Sequence, residues 1–319
     1  MGLIRRALTS EEDYQQLRIF LREVFLINGR REHAWHPAML DHWRWHFIAT
    51  CRMTPPWNKV TVGWETESGE LAAVLNPVCH DETHFHIHPR FRTRPLEEEM
   101  IAFAEEHYSD AYQGKQRIHY APAYADDLER LAILTGRGYQ KDGRWEHHWY
   151  RDLKENLPGR VEAAGYEIRS MGGEDDFPAR SWCSWRTFHG DEADTNYDGD
   201  YSWYANMQAA PLYRNDLDIL AVTPTGEMAA FCTISFDEDT SSALVVLDGT
   251  SADHLGKGLC TALLLEGMQR LKKLGCEQLI TYAEDEASDR LYRSLMHEFQ
   301  RYEPWVKIWK VGNEEGVNK

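Results

Sequence analysis

Gly256-Lys257-Gly258 places two glycines around a lysine at the first turn of a segment whose apolar residues recur at helical spacing as far as Leu271. A helix start offers unpaired N–H groups and about half a positive charge, and glycines ahead of it let the main chain wrap an anion without interference from Cβ atoms. From Leu255 to Thr261 the donors are the amides of Gly256, Lys257, Gly258, Leu259, Cys260 and Thr261. Such a nest suits a diphosphate. A plain cap or tight turn uses the same glycines, so the surrounding elements decide between the two.

Other clusters are weaker. The run HFHIHP puts His84, His86 and His88 on one face of a strand with His80 nearby, and three imidazoles on a strand can bind zinc. No matching carboxylate accompanies them, and we expect no metal there. His42 and His46, one helical turn apart, are read with the same caution. Trp182, Trp185, Trp203 and Tyr204 lie on expected helices, where aromatic rings fill a core or interface before they line a pocket. Nothing resembles Ser-His-Asp chemistry or a kinase phosphate loop.

At 319 residues, with 42% apolar residues, the chain is long enough for two cores. A net charge of -17 argues against nucleic acid, which needs clustered Lys and Arg, and suits a cationic small substrate better. Cys51, Cys79, Cys183, Cys232, Cys260 and Cys276 form no C-x-x-C pair, so neither a zinc knuckle nor a disulfide framework is expected. Charges interrupt the N-terminus where a signal peptide needs an apolar core, Arg6 stands where a myristoylation signal needs Ser or Thr, and no run reaches the length of a membrane span. The expectation is a reduced, cytoplasmic protein without a membrane partner.

Periodicity orders the elements that must position the glycine turn. In the second half, strands are expected at Tyr166 to Met171, Leu217 to Val222, Met228 to Asp237, Ser242 to Asp248, Gln278 to Ala283 and Tyr302 to Val311. Helices fall at Phe177 to His189, Tyr201 to Tyr213, after the glycine turn, and at Glu286 to Met296. The first half follows the same order. Its strands are Ile4 to Ala7, the hairpin Val60 to Trp64 and Glu70 to Leu75, Thr83 to His88, Arg117 to Ala121 and Arg144 to Arg151. Its helices are Asp13 to Phe25, Met39 to Thr50, Leu96 to Tyr108 and Asp126 to Thr135. LAILTGRGYQ (Leu131 to Gln140) echoes LYRSLMHEFQ (Leu291 to Gln300) in length and in Leu, aromatic and Gln anchors. An internal duplication joined near Asn156 to Arg160 is the reading, with domains 1–157 and 158–319.

The run VLDGTSADHLGKGLCTALLLEGMQRLKKLG followed by DEASDRLY resembles the coenzyme strand, loop, helix and tyrosine helix of the GNAT superfamily of N-acetyltransferases, whose pyrophosphate motif reads Q/R-x-x-G-x-G/A. The resemblance covers the whole second half and implies an α/β (α+β) fold: two tandem GNAT-like domains, each a mixed, mostly antiparallel twisted sheet flanked by helices. It implies acetyl-CoA as cosubstrate. The motif departs at Leu255, where Gln or Arg is usual, and at Cys260, where Gly or Ala is usual. Neither removes the main-chain donors. By the same resemblance Leu247, Asp248, Gly249 and Thr250 form the open strand that holds the acyl group and pantetheine, with Gly249 permitting a bulge. Asp285 and Ser288 stand beside the coenzyme, and Tyr292 protonates the departing sulfur.

An attacking amine must also lose a proton, for which Asp248, Glu284 and Asp285 are carboxylate candidates, Asp248 first. Asp237, Glu238 and Asp239 are read as a polar hairpin turn. The corresponding turn of the first half, HPRFRTRPLEEE, has no glycine, puts Pro95 where an amide should donate, adds Glu97, Glu98 and Glu99, and aligns Ala132 with Tyr292. That half is expected to be a degenerate copy, with Arg90, Arg92 and Arg94 on a solvated loop. The function expected is direct acetyl transfer in a ternary complex to a primary amine of a small molecule or peptide, with a homodimer allowed. The rivals are a non-catalytic coenzyme A sensor and a transferase for a longer acyl group.

Overall fold

A computed structural model describes residues 2–310; Val311, the expected end of the last strand, lies outside the described residues. Along the chain the elements are β1 (Ile4–Ala7), α1 (Glu11–Ile27), α2 (Pro37–His42), a π-helical turn (Trp43–Ile48), α3 (Trp57–Val60), β2 (Val62–Glu65), β3 (Leu71–Cys79), β4 (Glu82–Ile87), α4 (Arg94–His107), β5 (Asp110–Tyr112), β6 (Gln116–Tyr120), β7 (Ala123–Tyr124), α5 (Leu128–Gly136) and β8 (Gln140–Lys141). They continue with β9 (Glu146–Asp152), β10 (Glu167–Ser170), α6 (Phe177–Phe188), α7 (Trp203–Gln208), β11 (Asp218–Val222), β12 (Met228–Asp237), β13 (Ser242–Thr250), α8 (Leu259–Lys273), β14 (Gln278–Ala283), α9 (Glu286–Leu295), β15 (Glu298–Glu303) and β16 (Trp305–Lys310).

Two compact units emerge, and they do not divide at residue 157. One comprises the residues before Trp35, Arg52–Glu146 and those from Gln300; the other comprises Trp35–Cys51 and His147–Phe299. In the first, β1, β2, β3 and β4 pair antiparallel in that order, β6 joins β4 in parallel, and β16 lies antiparallel to β6. In the second, β10, β11, β12 and β13 pair antiparallel, β14 joins β13 in parallel, and β9 lies antiparallel to β14. Both units are thus mixed, mostly antiparallel sheets flanked by helices. Each sheet takes its sixth strand from the other half of the sequence. Arg144 to Arg151 and Tyr302 to Val311 look like the closing strands of their own halves only because sequence order carries no record of long-range pairing.

Core packing in the second unit follows from alternation along β11 and β12. Ile219, Ala221, Cys232 and Ile234 meet Leu259, Leu263, Leu264 and Met268 of α8 on one face. Leu220, Val222 and Phe231 meet Phe177, Cys183, Tyr204 and Met207 of α6 and α7 on the other.

Three elements differ from the periodic reading. The helix expected over Tyr201 to Tyr213 is limited to Trp203–Gln208, because Pro211 removes a donor and disfavours helical geometry at the residue before it. Met39 to Thr50 becomes α2 followed by the π-helical Trp43–Ile48, a widening that changes which side chains share a face. The last expected strand breaks at Pro304, which has no N–H for the ladder, and gives β15 and β16.

Candidate functional site

Gly256 and Gly258 adopt φ of 74° and 73°, the left-handed region where residues with a Cβ pay a penalty. Gly258 is the N-cap of the 15-residue α8 and no side chain caps that end. A Cβ built at either glycine would meet nothing within 4 Å, so the space beside the turn is open. The amides of Leu259, Cys260 and Thr261, which have no intrahelical acceptor by geometry, face this space together with the helix dipole. Leu255 is 64% exposed and makes no claim on it. The Lys257 ammonium folds back to donate to the Tyr166 hydroxyl at 2.9 Å and approaches His254 Nδ1 at 3.3 Å, keeping a cation next to the turn. An anionic diphosphate fits these groups.

β13 leads into this turn and is open along one edge. It pairs with β12 through Thr250, but with β14 only over Ser242, Ala243 and Leu244. Beyond Leu244 the two parallel strands part. The register shift against β12 lies between Thr233 and Ile234, where Val246 is the extra residue; Gly249 pairs regularly with Phe231. Gly249 therefore does not form the bulge expected of it. Its need for glycine is steric, since a Cβ would collide with Thr187 Cγ2 on α6. Thr250 Oγ1 lies 3.0 Å from Cys260 Sγ and ties the end of the open strand to the first turn of α8.

Tyr292 projects from α9 to the same place. Its hydroxyl lies 3.0 Å from each carboxylate oxygen of Asp248 and donates to that carboxylate. Burial pushes the Asp248 carboxyl up to about 6, against the downward pull of the Tyr292 hydrogen bond. Burial and the neighbouring Asp248 push the Tyr292 phenol well above its ordinary value. Burial also raises the thiols of Cys232, the cross-strand partner of Asp248, and of Cys260, the latter to about 11.

Asp285 and Ser288 serve the helix that carries Tyr292. Asp285 Oδ1 accepts from the amides of Ala287 at 2.6 Å and Ser288 at 3.0 Å, and the two residues form a capping box. Sequence reasoning missed Asp289, whose Oδ1 accepts from His147 Nδ1 at 2.7 Å and Trp149 Nε1 at 3.0 Å, fastening α9 to β9. The available signal was His147 and Trp149, two apart on one strand face, which was assigned to the other half. Asp237 accepts from Thr240 Oγ1 at 2.8 Å within its turn.

The equivalent turn of the first unit is closed. Thr93 Oγ1 caps α4 through the amide of Leu96, and Pro95 occupies its first turn. Arg92 is not a solvated loop residue. It donates to Glu97 at 2.5 Å and to both oxygens of Asp127 at 2.6 and 2.8 Å, while Arg130 also donates to the fully buried Glu97. On β4, His84 contacts Glu82 at 3.1 Å and the Tyr302 hydroxyl at 2.8 Å; among the described residues no three His, Cys, Asp or Glu converge as metal ligands. No helix among them is long and apolar enough to cross a membrane.

Residues 179–297 match the acetyltransferase (GNAT) family. The fold is shared with a GCN5-related N-acetyltransferase from Sphaerobacter thermophilus, 19% identical over 97% of this chain and 96% of that one, with a TM-score of 0.64. It is also shared with a tandem GNAT protein from the clavulanic acid biosynthesis pathway, 16% identical over 96% of this chain and 98% of that one, TM-score 0.65. Saccharomyces cerevisiae N-myristoyltransferase with bound myristoyl-CoA covers 96% of this chain at 9% identity and a TM-score of 0.56, with 78% of its own length matched. No curated protein sequence matches the chain.

Proposed function

We propose, from the match of residues 179–297 to the acetyltransferase (GNAT) family and from the fold shared with a tandem GNAT protein, that the second unit of this chain transfers an acetyl group from acetyl-CoA to a primary amine of a small molecule or peptide. The observation that carries the proposal is the Tyr292–Asp248 hydrogen bond, set at the unpaired end of β13 beside an uncapped, glycine-led helix start.

Acetyl-CoA would supply an activated acyl carbon, a diphosphate handle and a thiolate leaving group. The amides of Gly256 to Thr261 would hold the diphosphate, and main-chain groups of Leu247 to Thr250 the acyl end. As the C–N bond forms and the C–S bond breaks, one proton must leave the amine nitrogen and one must reach sulfur. Asp248, ionised above about pH 6, takes the first. Tyr292, which keeps its proton to high pH, gives the second. The hydrogen bond between them then returns the proton from the Asp248 carboxyl to the Tyr292 oxygen, and the site is restored. Cys232 and Cys260 stay protonated, which disfavours a thioester on the enzyme and supports direct attack in a ternary complex.

The test joins calorimetry with acetyl-CoA to an assay of thiol release over an amine panel. Binding with acceptor-dependent release is expected. Binding without turnover would identify a coenzyme A sensor, preference for longer thioesters a different acyl donor, and a burst of thiol without acceptor an acyl-enzyme route.

A further inference from the structure

Helix α9 has ten residues, of which Asp289, Tyr292 and Leu295 are buried. An isolated helix shorter than about 12 residues is marginal in water, so its neighbours decide where it sits. Leu295 joins the apolar core and the half-buried Leu291 packs against it. The other two buried side chains are polar, and each ends in hydrogen bonds to a different strand.

Asp289 reaches β9. Its Oδ1 accepts from His147 Nδ1 at 2.7 Å and Trp149 Nε1 at 3.0 Å, and its Oδ2 accepts from Arg293 Nη2 at 2.7 Å, one turn on along the same helix. Burial pushes this carboxyl up, but the hydrogen bonds from His147 and Trp149 outweigh it and hold Asp289 below the ordinary carboxylate range. The tie is therefore in place wherever Asp248 titrates.

Tyr292, three residues on and on the same face, reaches the other way. Its hydroxyl donates to Asp248 of β13 and accepts from the buried Thr281 of β14. Thr281 follows Ile280, the last residue of β14 that pairs with β13, so the phenol stands where the two strands part. β14 lies between β9 and β13, with Thr281 opposite Trp149. The helix thus spans β14, held to β9 at Asp289 and to the reacting end of β13 at Tyr292.

We infer that Asp289 is a positioning residue for Tyr292: by tying α9 to β9 it sets where the phenol stands in the gap between β13 and β14. This rests on the acetyltransferase reading above and adds to it a residue that touches neither reactant. The apolar contacts of Leu291 and Leu295 have no direction and leave a slide along the strand open, whereas two N–H donors converging on one carboxylate oxygen fix distance and angle together. A displacement of about 1 Å in such a support costs on the order of 100-fold in rate.

The experiment is a double-mutant cycle on the full chain, read by thiol release at saturating acetyl-CoA with the best acceptor of the amine panel. Asp289→Ala is expected to lower kcat about 30-fold while the acetyl-CoA KM stays within about twofold. Asp289→Asn, whose amide oxygen still accepts from His147 and Trp149, should stay within about threefold of the unaltered protein. On a Tyr292→Phe background, where no phenol remains to be placed, Asp289→Ala should change kcat by less than about threefold. His147→Ala removes one donor at a partly exposed position and reports even where Asp289→Ala fails to fold; it should lower kcat about tenfold, again only with Tyr292 present. A second readout needs no turnover. In protein carrying NMR-labelled tyrosine, the Tyr292 ring resonance, identified by its loss in Tyr292→Phe, should move in Asp289→Ala and hold in Asp289→Asn.

Equal losses on the unaltered and Tyr292→Phe backgrounds, full turnover in Asp289→Ala, or an Asn variant as poor as the Ala variant would each overturn the inference. So would a Tyr292 resonance indifferent to Asp289. Absence of acetyl-CoA binding by the unaltered protein would instead remove the acetyltransferase reading, and the Tyr292 resonance would still judge Asp289.

Discussion

The turns at Gly256–Gly258 and at Arg92–Pro95 begin corresponding helices of two sheets with the same strand order, and they treat the helix N-terminus in opposite ways. Before α8 the chain uses two left-handed glycines, leaves the end uncapped and keeps the neighbouring space open. Before α4 it uses a threonine cap and a proline, and Glu97 and Asp127 already neutralise Arg92 and Arg130 there. The first arrangement forgoes about 1 kcal/mol of capping stability and gains a place for an external anion. The second satisfies its own charges and has no such place.

The sharpest way to break this contrast is to give the Gly256–Gly258 turn the proline of the turn before α4. Gly258→Pro forces φ away from 73° and should reduce acetyl-CoA affinity about 1,000-fold by calorimetry, with circular dichroism reporting an intact fold. An affinity within tenfold would mean that the open turn is not the coenzyme site. Next, Tyr292→Phe should lower kcat about 100-fold while the acetyl-CoA dissociation constant stays within about twofold; turnover within twofold would remove the phenol from the chemistry.

The reciprocal change belongs to the first unit. Glu97→Ala leaves Arg130 buried without its carboxylate and should cost about 3 kcal/mol in denaturant unfolding, yet leave acetyl-CoA affinity untouched. Loss of coenzyme binding would show that the first unit takes part in it. The smallest effect is on pH. Because burial places the Asp248 carboxyl near 6, the ionised base disappears as pH falls below that value, and kcat/KM should drop about tenfold per unit there. Asp248→Asn should flatten this limb and lower the plateau; an unchanged limb would assign it to another group.

Much of the site was legible because it is local. Glycines before an amphipathic run, a strand ending at Asp248 and a second helix with Tyr292 are patterns of spacing, and the structure brings these segments together at the open end of β13. The strand order was equally readable up to the fifth strand of each sheet. What escaped depends on distant partners. The pairing of β9 with β14 and of β16 with β6 joins residues more than a hundred positions apart. Arg180 reads as one more charged residue on a helix until its burial is seen. His42 and His46 share a helical face by count and their rings do meet, 4.8 Å between centroids, but the contact of His46 with Trp203 at 5.7 Å comes from a distant helix and leaves no trace in local spacing. Gly249 looked like a bulge residue and proved to be a contact point for α6, a distinction only packing makes.

The crossed sixth strands also set a schedule for synthesis. Because domains assemble as the chain emerges, β9 is already waiting when β14 leaves the ribosome, and the second sheet can close at once. The first sheet has its β6 edge made early but receives β16 only with the final residues of the described chain. The half translated first is therefore the half completed last.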